Sequence, residues 1–394
     1  MAYINFKEEK DVAIDQLYKR RENNRKLINS ISTSKTISKL YSPNEKYSYK
    51  NHNEIVFGGG HPKWEEDLEE IADLDIACAT FNKCIFSNVK FLRCKFIGCV
   101  FNDCDFIGGG ALFEDCSFVK KESEDKPNLN VDDNLSCEFI NCNIYAKFFL
   151  SSLEFIIFDN CEIKETKFDL CDVSSAIVIN SNINKMFITD SNLSGFKLLD
   201  TYIQDLEFKD KDKSKLDEKT FFDKIELRKK DRDEYEGVYT IYENIANKFK
   251  ENNLTNNFGE YYFLCRKVQR NVLKPMPKIF STVGLLSSGY GERPIYAVYF
   301  SLGIILIFSV LYLLFGVVLN GEIVNFYDLY KISFKELLTL YNESLNLSVG
   351  MFAGVGLTEA QPSPASYMLS NIEMLIGILM MGLGIGALVK KIVR

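Results

Sequence analysis

The residues of this chain best suited to chemistry offer main-chain oxygens. Ser348-Val349-Gly350-Met351-Phe352-Ala353-Gly354-Val355-Gly356 is small, uncharged and rich in glycine, so its carbonyls are its only strong polar groups. Glycine tolerates backbone angles that a side chain forbids, and a ring of carbonyls aimed at one axis can replace a cation's hydration shell. A plain loop between two anchoring helices would have the same composition, so the flanking elements must decide what such a segment can do.

On the N-terminal side, residues 295–319 form a run of 25 without a charge. That exceeds the roughly 20 residues that cross about 30 Å of hydrocarbon as a helix. Ser333-Phe334-Lys335-Glu336 reads as a capping box, in which serine hydroxyl and glutamate carboxylate satisfy each other's backbone N–H groups. A helix over 334–347 follows, with Phe334, Leu337, Leu338, Tyr341 and Leu345 on one face. On the C-terminal side a second apolar helix spans 368–390 and contains one carboxylate, Glu373. An ionisable residue there is costly and by default functional, facing either protein or interfacial water. Gly377, Gly382 and Gly386 on the same helix permit either a hinge or close helix packing, including a small-xxx-small contact with 295–319.

Apolar helix, capped helix, glycine-rich segment and apolar helix, in that order over about a hundred residues, resemble the two-span pore module of bacterial potassium-channel-like proteins. That family's filter reads Thr-Val-Gly-Tyr-Gly. Two registers compete here: Ser348-Val349-Gly350-Met351-Phe352, which loses the final glycine, and Phe352-Ala353-Gly354-Val355-Gly356, which loses the threonine hydroxyl. Neither keeps the tyrosine. The resemblance therefore implies a homotetrameric pore for monovalent cations, with Phe352 as a hydrophobic constriction and little discrimination of sodium from potassium. Gly289-Tyr290-Gly291 is a closer match to the motif, but it precedes the first span with no helix before it. Together with Glu292-Arg293-Pro294 it resembles the segment before the outer helix in bacterial channels whose cytoplasmic part carries pentapeptide repeats.

Such repeats occur upstream. Apolar residues recur at every fifth position at Leu153, Phe158, Ile163, Phe168, Val173, Val178, Ile183, Ile188, Leu193, Leu198, Ile203 and Phe208. With 46% hydrophobic residues, an unbroken run of this length arises by chance about once in 10,000 trials for one phase. Ile76, Phe81, Phe86, Phe91, Phe96, Phe101 and Phe106 keep the same step, and Gly108-Gly109-Gly110 and the charged segment 120–133 break its phase. A period of five fits neither helix nor strand, so each repeat must turn a corner of a larger coil. Pentapeptide-repeat proteins form a right-handed quadrilateral β-helix in which the small residue two before each central one also points inward. Here that residue is Cys84, Cys94, Cys99, Cys104, Cys161 or Cys171, or Ala79, Thr166, Ala176 or Ser181. Ten of the eleven cysteines lie in this region. Their spacing suits wall-filling small hydrophobes better than zinc sites or disulfides.

After a mixed-charge stretch, Tyr235, Val238, Tyr242, Ile245 and Phe249, then Tyr261, Cys265, Val268 and Val272, give two helical stripes and predict a hairpin. The organisation expected is a charged, helical cap region over 1–70, a β-helix over 71–208 interrupted near 107–135, a linker and hairpin over 209–290, and a pore domain over 291–394. No apolar core opens the chain, and Lys390, Lys391 and Arg394 follow the second span, so both termini are expected in the cytoplasm of a bacterium, with the spans in its inner membrane. Only two histidines, His52 and His61, occur, and neither has a convincing partner for catalysis, so no enzymatic activity and no cofactor are expected. A net charge of -7 over 394 residues argues against a nucleic-acid surface. Some soluble pentapeptide-repeat proteins resemble duplex DNA and inhibit topoisomerases, but the mixed lysines and acids around 82–105 lack that charge density. The expected partners are further copies of the chain, the lipid bilayer, and a cytoplasmic protein or ligand on the repeats. A nonconducting, membrane-tethered scaffold remains the alternative.

Overall fold

A computed structural model describes residues 4–35, 37–59, 68–120, 135–319, 321–324, 333–355 and 359–393. Its contacts divide the chain into two units, Ala2–Gln269 and Arg270–Arg394.

The first unit is a β-solenoid of about seven turns. Its strands pair in parallel at a step of twenty residues, so four pentapeptides make one turn: Phe81 lies beside Phe101, and Phe158 beside Val178, which lies beside Leu198. The period of five has a local cause. Asn160, Glu165, Leu170, Ser175 and Asn180 all take positive φ, turning the chain after each pair of inward residues. Left-handed angles are unfavourable for residues with a Cβ, and the buried rungs offset that cost. Phe81, Phe101, Phe139 and Phe158 stack with centroids 4.9, 4.4 and 5.1 Å apart. Phe91, Phe113, Phe148 and Phe168 repeat this at 5.1, 5.0 and 5.2 Å. These spacings follow the strand separation of about 4.8 Å. All the predicted inward positions are buried except Phe208, which is half-buried. The triglycine does not interrupt the coil: Asp105–Glu114 is one strand running through it. Gly110 has φ +68°, and a Cβ there would lie 2.0 Å from the Tyr145 carbonyl oxygen. Most of the charged insertion lies outside the described residues.

All eleven cysteines are buried and unpaired by disulfides. Several donate to a carbonyl of the preceding turn, as Cys104 Sγ does to Phe81 O at 3.2 Å. Burial pushes the thiols of Cys78, Cys171 and Cys265 up to about 12. Native protein at pH 8 is therefore expected to show no fast-reacting thiol toward a maleimide, and all eleven after unfolding. A single rapidly labelled cysteine in folded protein would contradict this packing.

The N-terminal region behaves differently from a simple cap. Strands Asn51–Asn53 and Val56–Phe57 already belong to the solenoid's ladders. Before them, α1 (Phe6–Ser34) is capped by Asn5 and runs for about 43 Å. Ala13 and Leu17 pack on the outward residues Ile157, Ile177, Ile179, Leu199 and Phe221, and Ile31 packs on Ala77, Cys78, Ile97 and Leu135. Arg21 holds Glu138 at 3.0 Å and Asp159 at 2.8 Å. The helix thus covers one apolar wall that would otherwise face water.

At the far end, α2 (Arg232–Glu251) and α3 (Thr255–Gln269) form the expected hairpin, and it closes the solenoid. Val238, Ile245, Phe249 and Tyr261 join the same core as the phenylalanine ladders. The Tyr261 hydroxyl accepts from Phe222 N–H and donates to its carbonyl, both at 2.8 Å, which blunts an exposed ladder edge. Asp210 fixes α2 to the preceding loop, accepting from Lys248 Nζ at 2.8 Å and from Ser214 Oγ at 2.7 Å. Burial alone would raise the Asp210 carboxyl, but these donors hold it below the ordinary value of 3.8. Its contribution is therefore complete above about pH 4 and is lost as pH falls through the lower folded value. Asp210→Asn is expected to cost about 1–3 kcal/mol at pH 7 and to flatten the loss of urea resistance as pH falls below about 4. Identical pH profiles for the two proteins would refute this clamp.

The second unit contains α4 (Pro275–Ser288), α5 (Pro294–Phe315), α6 (Phe334–Ala353) and α7 (Tyr367–Val393). Both α5 and α7 are long and apolar enough to cross a membrane. Helix α5 is shorter than its apolar run: Gly316 at φ +101° ends it, and Val317–Leu319 instead pairs with Glu322–Val324 and Gln361–Pro362. Gly289, Tyr290 and Gly291 all have positive φ and make the turn from α4 to α5.

Candidate functional site

The capping box forms as its sequence predicts: Ser333 Oγ accepts from Glu336 N–H, and the Glu336 carboxylate accepts from Ser333 N–H at 2.8 Å. The helix it starts is longer than expected, however, and continues through Ser348, Val349, Gly350, Met351 and Phe352 to Ala353. These residues are helical, so the first filter register is not an extended row of carbonyls. Gly354 ends the helix with φ +67°, its N–H and that of Val355 returning to the carbonyls of Met351 and Gly350. Val355 is exposed, and Gly356 lies outside the described residues.

What lengthens α6 is its contact with α5. Ser344 Oγ donates to Ser309 O at 2.6 Å, and one turn later Ser348 Oγ donates to Ile305 O at 2.9 Å. Small hydroxylated residues let two helices approach closely and bond across the gap. The apolar stripe read from the sequence is not the packed face. Phe334 and Leu338 are exposed, whereas Ser344, Leu347, Ser348, Gly350 and Phe352 are buried. The paired positions make α6 antiparallel to α5, reaching its midpoint at Ile305 and going beyond it. Chain at Gln361–Pro362 is back beside Val317–Val318, at the end of α5 from which α6 descends.

Glu373 joins the three helices. It has no exposure, and its carboxylate accepts from Tyr312 Oη of α5 at 2.7 Å and from Ser348 Oγ of α6. A carboxylate out of water needs such donors. Sequence reasoning missed Tyr312; its signal was a hydroxyl in an otherwise apolar span, opposite the single acid of α7. Near the other end of α5 and α7, Glu292 is buried in an ion pair with Lys390.

Gly377 sits on the Phe352 backbone so closely that a Cβ would come 2.0 Å from the carbonyl oxygen. Phe352 itself is buried with Ala297 and Met380. Within the chain it packs between helices. Among the described residues a Cβ added at Gly382 or Gly386 would meet no atom within 4 Å, so within one chain these two glycines make no small-xxx-small contact with α5; Gly384 faces Ala297 at 3.7 Å instead. Helical pitch explains the difference, since 377, 380 and 384 share one face and 382 and 386 another.

Elsewhere, His52 is buried with Nε2 at 2.8 Å from Tyr47 O and its ring stacked on Phe81, continuing the solenoid's aromatic ladder, while His61 lies outside the described residues. Among the described residues no three His, Cys, Asp or Glu side chains are grouped to hold a metal.

No known family model matches the chain, and no curated protein matches it either. Solved structures of QnrB1, described as a plasmid-mediated fluoroquinolone resistance protein, are similar over part of it. A trypsin-treated form is 18% identical with a TM-score of 0.22, covering 39% of this chain and 69% of that one. A second trypsin-treated form is 14% identical at 0.20, covering 45% and 88%, and the full-length protein 13% identical at 0.14, covering 43% and 92%. The five-residue period and the twenty-residue turn define this chain as a pentapeptide-repeat β-solenoid, followed in sequence by a unit with two helices apolar enough for a bilayer.

Proposed function

We propose that the protein is a homotetrameric cation channel of a bacterial inner membrane, with α5 and α7 as its spans and the repeats as a cytoplasmic sensing or scaffolding domain. The observation that carries this reading is the descent and return of α6. It enters from one end of α5, passes its midpoint and turns at Gly354, and the chain is back at the starting end by Gln361. Gln361 lies seven positions beyond Gly354, a reach of at most about 25 Å. That suffices to climb back from mid-bilayer. Non-helical chain at membrane depth is tolerated only where protein buries it or it lines a watery path. The C-terminus of α6, the negative end of its dipole, would lie at the same depth and favour a cation there.

In this reading the second register, Phe352-Ala353-Gly354-Val355-Gly356, marks the start of the ion path. Ser348, Val349, Gly350 and Met351 support it from within α6. Four copies would close the ring, because one pair of spans encloses nothing. The three strand ladders and a fourth line of single bridges, from Lys95 through Ser117, Ser152 and Asp172 to Asn192, favour a four-sided coil. Both termini would be cytoplasmic, with neither enzymatic activity nor a cofactor beyond the permeant ions.

Purified protein in liposomes should pass sodium and potassium, with bi-ionic reversal potentials near zero. A strong potassium preference would contradict the poor selectivity, and absence of any flux would reject the channel. One observation favours a second reading, the nonconducting tethered scaffold: the helical state of 348–353 removes six of the nine residues of the glycine-rich segment from any carbonyl ring. Normal tetramers without flux would support it.

A further inference from the structure

Helix α4 presents an apolar face that no described residue of its own unit covers. Met276, Ile279, Phe280, Val283 and Leu286 are between 49% and 72% exposed. Their spacing of three, four, seven and ten residues from the first places them on one stripe of the helix, with Lys278 on the opposite side. Five large apolar side chains in a row are more than scattered surface hydrophobics.

Two further observations indicate what covers them. The first is continuity. Pro294 lies six positions beyond Ser288, a reach of at most about 20 Å, and the turn between is compact, with Ser281 Oγ and Tyr290 Oη 2.9 Å apart. A helix so tethered to a membrane span cannot be far from the bilayer surface. The second is charge. Residues 270–294 contain Arg270, Lys274, Lys278 and Arg293 against one acid, Glu292. Glu292 is buried against Lys390 of α7, which brings Lys390 and Lys391 to the same end.

We infer that α4 is an interfacial helix lying in the headgroup layer of an anionic bilayer surface, its Met276–Phe280–Leu286 stripe toward the acyl chains and its lysines toward lipid phosphates. Amphipathic helices of this kind bind through buried apolar area together with attraction to acidic lipid. The inference rests on α5 being a membrane span, as proposed above.

The test uses the full chain, whose own cysteines are all buried, with an environment-sensitive fluorophore attached at Phe280→Cys and, separately, at Leu306→Cys on the exposed side of α5. Each is reconstituted in phosphatidylcholine vesicles with or without phosphatidylglycerol, carrying nitroxides either near the headgroup or at the acyl terminus. The Phe280 label is expected to be quenched about twofold more by the shallow nitroxide, and the Leu306 label more by the deep one. Nitroxide on phosphatidylglycerol should quench the Phe280 label more than nitroxide on phosphatidylcholine, and Lys274→Gln with Lys278→Gln should remove that difference. A deep Leu306 label beside an unquenched Phe280 label overturns the interfacial helix while leaving the span intact. If the Leu306 label is not quenched either, the span itself is rejected and the inference with it. A Phe280 label shielded from both lipid nitroxides and aqueous quenchers means that a second copy covers the stripe, which also overturns the inference. Equal quenching by the two lipids rejects the anionic preference.

Discussion

Gly377→Ala is expected to abolish folded, assembled protein, whereas Gly382→Ala leaves it intact. The first substitution drives a methyl group to 2.0 Å from the Phe352 carbonyl oxygen and 2.8 Å from its carbon. That backbone has nowhere to go. Phe352 is held by Ala297 and Met380, and α6 is bonded to α5 at Ser344 and Ser348. Overpacking of this kind costs about 1–3 kcal/mol or more, against about 1 kcal/mol gained in helix propensity. At Gly382 the gain stands alone, because among the described residues no atom lies within 4 Å of the added methyl. Thermal unfolding and size-exclusion yield in detergent distinguish the two. A Gly377→Ala protein with wild-type melting and altered open probability would show that the glycine serves as a hinge and that close packing is not its role.

Glu373→Leu is the second large effect. It removes the acceptor for two buried hydroxyls on two different helices. Ser348 retains the Ile305 carbonyl, but Tyr312 has no other partner among its described hydrogen bonds. An unsatisfied buried donor costs about 1–3 kcal/mol, so loss of folded protein is expected. Glu373→Gln should fold, since its amide oxygen can still accept from Tyr312 and its nitrogen can donate to Ser348 Oγ. Any change of conductance in Glu373→Gln then reports on the charge rather than on the fold. Wild-type yield for the leucine variant would refute a structural role.

The two units differed in how legible they were, for a physical reason. In the solenoid each turn repeats the last by translation, so every inward position meets the same neighbours. A period of five in Phe81, Phe101, Phe158 and Val178 therefore carries the core directly. The outward cluster of Ile157, Ile177, Ile179 and Leu199 is also in the sequence, but nothing local says that α1 covers it. That contact joins residues more than a hundred positions apart.

In the second unit, sequence alone determined the start of α6, because a capping box is a contact between residues three apart. It also determined two helices of bilayer length, because twenty apolar residues need no partner to be recognised. Where α6 ends was beyond it. Ser348, Gly350 and Ala353 suit a helix and an extended loop equally, and the choice fell to hydroxyls finding the Ser309 and Ile305 carbonyls across α5 and to Gly377 admitting the Phe352 backbone. Likewise Glu373 announced itself as a buried charge, but only the tertiary structure supplied Tyr312 and Ser348 as its donors. Local hydrogen bonds and translational repeats are written in the order of the residues; contacts between separate helices exist only once the chain has brought them together.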